Sequence, residues 1–156
     1  MTGVQTCALP IFDTPQDGIA LMTFNRPDSL NAITWEMVEE IHDVLSRMEQ
    51  KTDLRVLIMT GAGRGFCSGT DLKSGRSKDQ NASPPGAAAQ MRKQRRIADI
   101  PIHMRKIPQP IIAAVNGVAA GGGFSFAMAA DLPIAPPHVR LIAPSSTIRL
   151  PPSATR

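Results

Sequence analysis

The chain has 156 residues, enough for one domain with a real core, and its 42% hydrophobic and 19% charged residues fit a globular protein rather than a disordered one. Aromatic residues make up 4%, with one Trp and no Tyr, which argues against a stacking surface for single-stranded nucleic acid. The formal net charge of +4 is concentrated in Arg92, Lys93, Arg95 and Arg96, with Arg105 and Lys106 nearby. Such a run reads first as a solvated helix face, and second as attraction for a phosphorylated ligand. Two cysteines, Cys7 and Cys67, lack metal-type spacing, and no signal-peptide pattern precedes them. A reducing, cytoplasmic setting is the expectation.

In chain order, residues 1–11, MTGVQTCALPI, carry no periodicity and lead into no element. They are similar to the translation of a sequencing-library adapter and are expected to be a non-native leader. GIALMTF (18–24) reads as a strand, broken by Asn25-Arg26-Pro27-Asp28. Thr34 is an expected N-cap, and Val38, Ile41, Leu45 and Met48 then recur at helical spacing, so 35–49 is an amphipathic helix. LRVLIMT (54–60) is a near-continuous apolar run, expected to be a strand buried on both faces of a parallel sheet. Residues 74–90 read as a polar loop. A helix follows on the stripe Ile97, Ile100, Met104 and Ile107, with Pro101 in its first turn or kinking it. IIAAV is a strand, and the glycines after it open a short helix to Ala130.

Pro110 to Ala130 carries no charge and contains a GxxxG at Gly117–Gly121. A membrane span there is excluded by the interruptions at Asn116, the glycines and Ser125; a strand, a turn and a helix explain it better. The alternation of strand and helix predicts an α/β fold. Pro133 falls in the next expected strand, where proline is poorly tolerated. Residues 136–156 contain no acid, are rich in Pro and Ser, and are expected to be a disordered or frameshifted tail. The partial core is thus expected over 12–135.

Two glycine loops each follow an apolar strand, and loops after parallel strands lie at the carboxyl edge where ligands bind. Gly69-Thr70-Asp71 would expose the Thr70 N–H, and Gly121-Gly122-Gly123 the Gly122 N–H at a helix start. Two such donors converging on one point would stabilise a carbonyl oxygen as it gains charge. The bland alternative is that these glycines only make tight turns. A dinucleotide loop is disfavoured, because Gly61-Ala-Gly63-Arg-Gly65-Phe66 places Phe where the third glycine belongs.

The stretches IALMTFNRPDSLNAIT (19–34), VLIMTGAGRGFCSGTDLK (56–73) and PQPIIAAVNGVAAGGGFSFAMAADL (108–132) resemble the enoyl-CoA hydratase/isomerase (crotonase) superfamily. The resemblance implies a ββα superhelix, here incomplete because the C-terminal part is missing, and an acyl-CoA thioester substrate. It implies no cofactor beyond the coenzyme A of the substrate, and a full-length parent that forms a trimer or hexamer. No nucleic-acid or membrane partner is expected. Thr70 and Gly122 match the family's thioester-binding N–H groups, and Arg26, Ala32, Leu72 and Lys73 match its CoA-contacting region. Asp28 stands where a basic residue is frequent. Ser125 occupies the position of a family glutamate; a hydroxyl of ordinary pKa is no general acid or base near neutrality. Asp71 and Asp131 match structural positions, and His103 is expected at the surface. Three readings follow: an enzyme fragment of hydratase or isomerase type, a silent acyl-CoA- or partner-binding protein, or a chain that fails to fold.

Overall fold

The computed structural model describes residues 10–71 and 86–143. The chain opens with a hairpin in which β1 (Ile11–Gln16) pairs antiparallel with β2 (Ile19–Phe24), from Ile11 opposite Thr23 to Gln16 opposite Ile19. The expectation that residues 1–11 lead into no element is corrected at its last residue. β1 escapes a periodicity search because it is an edge strand, mostly exposed and irregular between Asp13 and Gln16.

A 3-10 turn (Pro27–Ser29) follows β2, and Leu30 and Asn31 leave it with φ of 50° and 56°. Asn31 is fully buried. Its Oδ1 accepts from Arg26 N at 2.8 Å, while its Nδ2 donates to Ala62 O at 3.0 Å and Gly65 O at 2.7 Å. The side chain therefore does for the turn what a backbone ladder does for a strand, and Asn tolerates the left-handed region.

Thr34 caps α1 (Trp35–Gln50) by accepting from Met37 N at 3.3 Å, as expected. Val38, Ile41, Leu45 and Met48 are all buried, so the helical stripe is the packed face. β3 (Val56–Gly61) runs parallel to β2 over its whole length. Leu57 and Met59 are buried, while Val56, Ile58 and Thr60 on the other face are half-buried. The run expected to be buried on both faces is therefore fully covered on one.

β4 (Gly65–Cys67) follows closely, and then α2 (Ala87–Met104). α2 begins inside the stretch read as loop and carries Pro101 in its interior rather than its first turn. The helix passes the proline and still closes on it, with Arg105 N donating to Pro101 O at 3.2 Å. Ile100 and Met104 are buried in the core, as the stripe predicted.

β5 (Ile111–Ala114), β6 (Val118–Ala120) and α3 (Gly122–Ala129) divide the uncharged stretch that was excluded as a membrane span. Among the described residues no helix is long and apolar enough to cross a membrane. β7 (Leu132–Ile134) and β8 (Leu141–Ile142) close the described chain. Pro133 is accommodated because β7 is an edge strand. Val115 N donates to Ile134 O at 2.8 Å, so Ile134 faces β5 and its neighbour Pro133 turns its nitrogen to the unpaired side.

The strands sort into two sheets, one of order β1-β2-β3-β5-β7 and one of order β4-β6-β8. From β3 onward each turn of chain supplies one strand to the larger sheet, one to the smaller and then a helix. That is a strand-strand-helix repeat, finer than the simple alternation expected from periodicity, because β4, β6 and β8 have only two or three residues each. Phe24 of β2, Phe66 of β4 and Phe126 of α3 join the layers. The Phe24 and Phe66 rings meet edge to face at 5.3 Å between centroids, and Phe126 lies 6.3 Å from Phe24.

Candidate active site

The two glycine loops that follow β4 and β6 touch. Gly69 has φ of 98° and Gly121 has φ of 53°, conformations that side chains other than glycine's rarely adopt. A Cβ on Gly69 would lie 3.0 Å from Ala120 O and 3.5 Å from Gly122 N, so the loops pack backbone against backbone. The other glycines of the triplet answer to packing. A Cβ on Gly122 would meet Ile33 Cδ1 at 2.8 Å, and one on Gly123 would collide with Cys67 O of β4. The triplet thus seats the first turn of α3 directly on β4.

That seating brings Thr70 and Gly122 to one cleft. Ile33 N donates to Gly69 O at 2.8 Å, and Asp71 N donates to Ile33 O at 2.9 Å. Thr70 lies between these two rungs, so its own N–H faces the other side. Gly122 is the first residue of α3, where N–H groups have no partner within the helix and the peptide dipoles favour negative charge. Thr70 and Gly122 line the same cleft of about 390 Å³, with Ser125 and Phe126 of α3 and with Gln94, Ile97, Ala98 and Pro101 of α2.

The other expected residues separate into groups. Ser125 reaches the cleft, where its exposed hydroxyl donates to Gly121 O at 3.3 Å. Arg26 and Ala32 lie beside the Thr70 loop: Arg26 Nη1 contacts Asp71 Oδ2 at 2.9 Å and donates to Ala32 O at 2.6 Å. The guanidinium is therefore a brace for the loop, with both groups of the ion pair largely shielded from water. Leu72 and Lys73 lie outside the described residues. Asp131 is structural, its Oδ2 accepting from Ile111 N at 2.8 Å and its Oδ1 pairing with Arg105 at 3.3 Å.

His103 is corrected. It is not a surface residue but half-buried against α1, with its Nδ1 3.0 Å from His42 Nδ1 and the two rings stacked at 5.3 Å. His42 Nε2 lies 3.0 Å from Arg96 O. A carbonyl only accepts, so His42 Nε2 carries the proton, its Nδ1 is the acceptor, and His103 Nδ1 donates to it. Burial, and then the neighbouring His42, hold the His103 pKa below its usual value. The pair fastens α1 to α2 and does not border the cleft. Cys67 is also buried, its thiol pushed up to about 11 by burial, which makes it an inert packing group under α3.

The cleft residues on α2 are the part that sequence reasoning missed. Gln94, Ile97, Ala98 and Pro101 fall at i, i+3, i+4 and i+7 of one helix face. That spacing was visible, but the apolar stripe, which shares Ile97 with it, drew attention to the side of the helix where Ile100 and Met104 pack in the core.

With this geometry in view, comparison with known proteins decides the family. The enoyl-CoA hydratase/isomerase family model matches residues 14–154. The chain belongs to the enoyl-CoA hydratase/isomerase family. Among curated relatives it is 37% identical over 137 residues to the 1,2-epoxyphenylacetyl-CoA isomerase of Escherichia coli, a match that covers 86% of this chain and 50% of that protein. It is 34% identical over 128 residues to the (E)-benzylidenesuccinyl-CoA hydratase of Thauera aromatica, covering 81% of this chain and 47% of that one. Among solved structures, an enoyl-CoA hydratase from Bacillus anthracis superposes with a TM-score of 0.69 at 28% identity, over 78% of this chain and 45% of that one. A monofunctional enoyl-CoA isomerase from M. smegmatis superposes with a TM-score of 0.61 at 31% identity, over 80% of this chain and 48% of that one. The fold is therefore the crotonase fold, incomplete: the chain spans about half the length of the relatives it matches.

Proposed function

We propose that this chain carries the thioester-binding half of an acyl-CoA enzyme of hydratase or isomerase type. The observation that carries this reading is the cleft lined by both Thr70 and Gly122. A thioester oxygen placed between them gains two hydrogen bonds that strengthen as the carbonyl becomes enolate-like. Loss of one donor of this kind costs about 3–4 kcal/mol of barrier. Only backbone is required, so the Thr70 side chain narrows the cleft without removing the donor. Coenzyme A enters as part of the substrate, and the chemistry calls for no separate cofactor.

Proton transfer is a different matter. No carboxylate lines the described part of the cleft, and Ser125 stands on α3 with a hydroxyl already donating to Gly121 O. A hydroxyl orients water but does not move protons near neutral pH. The chain by itself is therefore expected to bind and polarise an acyl-CoA without hydrating it. This observation favours the second reading, acyl-CoA binding without turnover, for the 156-residue chain. The parent, on this reading, works as a homotrimer or hexamer.

Difference infrared spectroscopy of bound crotonyl-CoA tests the proposal. The thioester carbonyl stretch is expected to move to lower frequency in the chain as it stands and to return in Gly122→Pro. Proline is accepted at the first position of a helix, so that substitution deletes the N–H, and the flexible end of the Ile33 side chain, 2.8 Å from a Cβ built there, must shift to admit the ring. A bound thioester with an unshifted stretch sinks the reading. Crotonyl-CoA hydration above the Gly122→Pro control overturns the expected inactivity.

A further inference from the structure

α2 is interrupted on the side of the cleft and held together on the other. Proline has no N–H, so the rung that residue 101 would donate to Ile97 O is missing. The break falls among Ile97, Ala98 and Pro101, which line the cleft. The two parts of the helix are anchored unequally. Ile100 and Met104 fasten the C-terminal part in the core, while residues 87–95 of the N-terminal part are exposed except for the half-buried Ala89.

His42 of α1 touches both parts. Its Nε2 donates to Arg96 O at 3.0 Å, ahead of the missing rung, and its Nδ1 accepts from His103 Nδ1 at 3.0 Å, beyond it. One buried ring thus splints the helix across its break. The N-terminal part also meets α1 through the Arg96–Glu39 ion pair and through Lys93, whose Nζ lies 5.7 Å from the centre of the Trp35 ring.

The splint holds one proton between its two facing nitrogens and has no room for another. A first added proton goes to His103 Nε2, 3.8 Å from Glu49, and leaves the bond between the rings intact. A second, on His42 Nδ1, sets N–H against N–H and one imidazolium against the other. The carboxylates Glu39, Asp43 and Glu49 of α1 and Asp99 of α2 draw protons toward this cluster, while Arg96 and Lys106 of α2 repel them. Burial adds to the repulsion and holds His103 below its ordinary value, so the doubly protonated pair belongs to acidic pH.

We infer that the His42–His103 contact is a proton-sensitive splint on a hinge at Pro101, and that its double protonation swings the N-terminal part of α2 away from α1 and reshapes the cleft on the other side. The inference does not depend on what the cleft binds. Two imidazoliums cannot stay head to head at this distance, and α2 gives way where its ladder is already broken.

Trp35 is the one tryptophan of the chain, and Lys93 against its ring lets it read the hinge. Its emission in the full chain, followed from pH 8 to pH 5, is expected to shift to the red with a midpoint below about 6.5. The shift is expected to vanish in His103→Asn, whose amide donates to His42 Nδ1 when that nitrogen is bare and, flipped, accepts from it when it is protonated. It is expected to vanish also in Pro101→Ala, where the restored rung holds α2 without the splint. Flat emission in the parent chain, or a shift that survives in either variant, overturns the inference. So does a far-UV circular dichroism signal that collapses over the same pH range, which would make the shift global unfolding. Spin labels on Gln94→Cys and Met128→Cys in a Cys7→Ser background measure the separation of α2 and α3; a separation that is the same at pH 8 and pH 5 overturns the link to the cleft. Circular dichroism matching the parent at pH 8 verifies the fold of each variant.

Discussion

Gly123 and Gly86 separate two uses of the same residue. A Cβ at Gly123 collides with the Cys67 carbonyl oxygen, a backbone atom that has nowhere to go, while one at Gly86 meets nothing within 4 Å. Gly123→Ala is expected to cost about 1–3 kcal/mol, in the range of overpacked cores, and Gly86→Ala to stay within about 0.5 kcal/mol. Urea denaturation of both variants checks the contrast; equal midpoints would refute it. The histidine pair makes a second claim at this scale. His103 has a folded-state pKa below its unfolded one, so the unfolded chain takes up the proton first as pH falls. Stability is therefore expected to decline as pH drops through about 6.5, and to level off below the lowered folded value. Glu49, 3.8 Å from His103 Nε2, opposes this shift, while Lys106 and Arg96 reinforce it. Melting temperatures between pH 8 and 5, with His103→Phe losing the slope, provide the measurement. That Thr70, Gly122 and Ser125 would lie together was legible in the sequence from glycine spacing and family resemblance, and all three line one cleft. His103 was misread because its partner, His42, lies 61 residues away, and no local pattern announces a contact between helices.

The ends of α1 show how elements are joined rather than formed. Its start is local, a threonine cap three residues from the N–H it serves. Its end is tertiary: Gln109, from the segment before β5, donates through Nε2 to Met48 O at 2.8 Å and Lys51 O at 3.0 Å. These are the carbonyls a helix leaves unpaired at its C-terminus. Gln109 is buried, and Gln109→Ala takes the side-chain donor from Lys51 O and leaves Met48 O only the shared bond from Lys51 N at 3.2 Å, so it is expected to cost about 1–3 kcal/mol. Hydrogen exchange should then accelerate in the last turn of α1 before its first; uniform acceleration would contradict the assignment. The same division explains what the sequence revealed of the elements. Long periodic segments such as α1 and β3 were readable. β4, β6 and β8 were not, because two or three residues carry no period, and their pairing is fixed by the chain on either side.

The whole molecule presents an unfinished surface among its described residues. Leu132 and Ile134 of β7, Leu141 and Ile142 of β8 and Met128 of α3 are about half exposed. Strand edges with apolar side chains are templates for unwanted pairing. The chain is expected to self-associate with rising concentration, and Ile134→Lys with Leu141→Lys to suppress it, as read by light scattering; association unchanged by both substitutions would place the contact elsewhere. Phe24, Phe66 and Phe126 make the opposite kind of contact, binding both sheets and α3 into one unit. Cys67 gives access to how firmly that unit holds. Its sulfur is shielded, its thiol resists ionisation, and the glycine start of α3 rests on its backbone. In a Cys7→Ser background, an alkylating reagent has one target left, and reaches it only when α3 lifts from β4. The labelling rate becomes a clock for the opening of the helix that presents the Gly122 N–H, and slowing of that clock by a bound thioester would report, from beneath the site, that the cleft is filled.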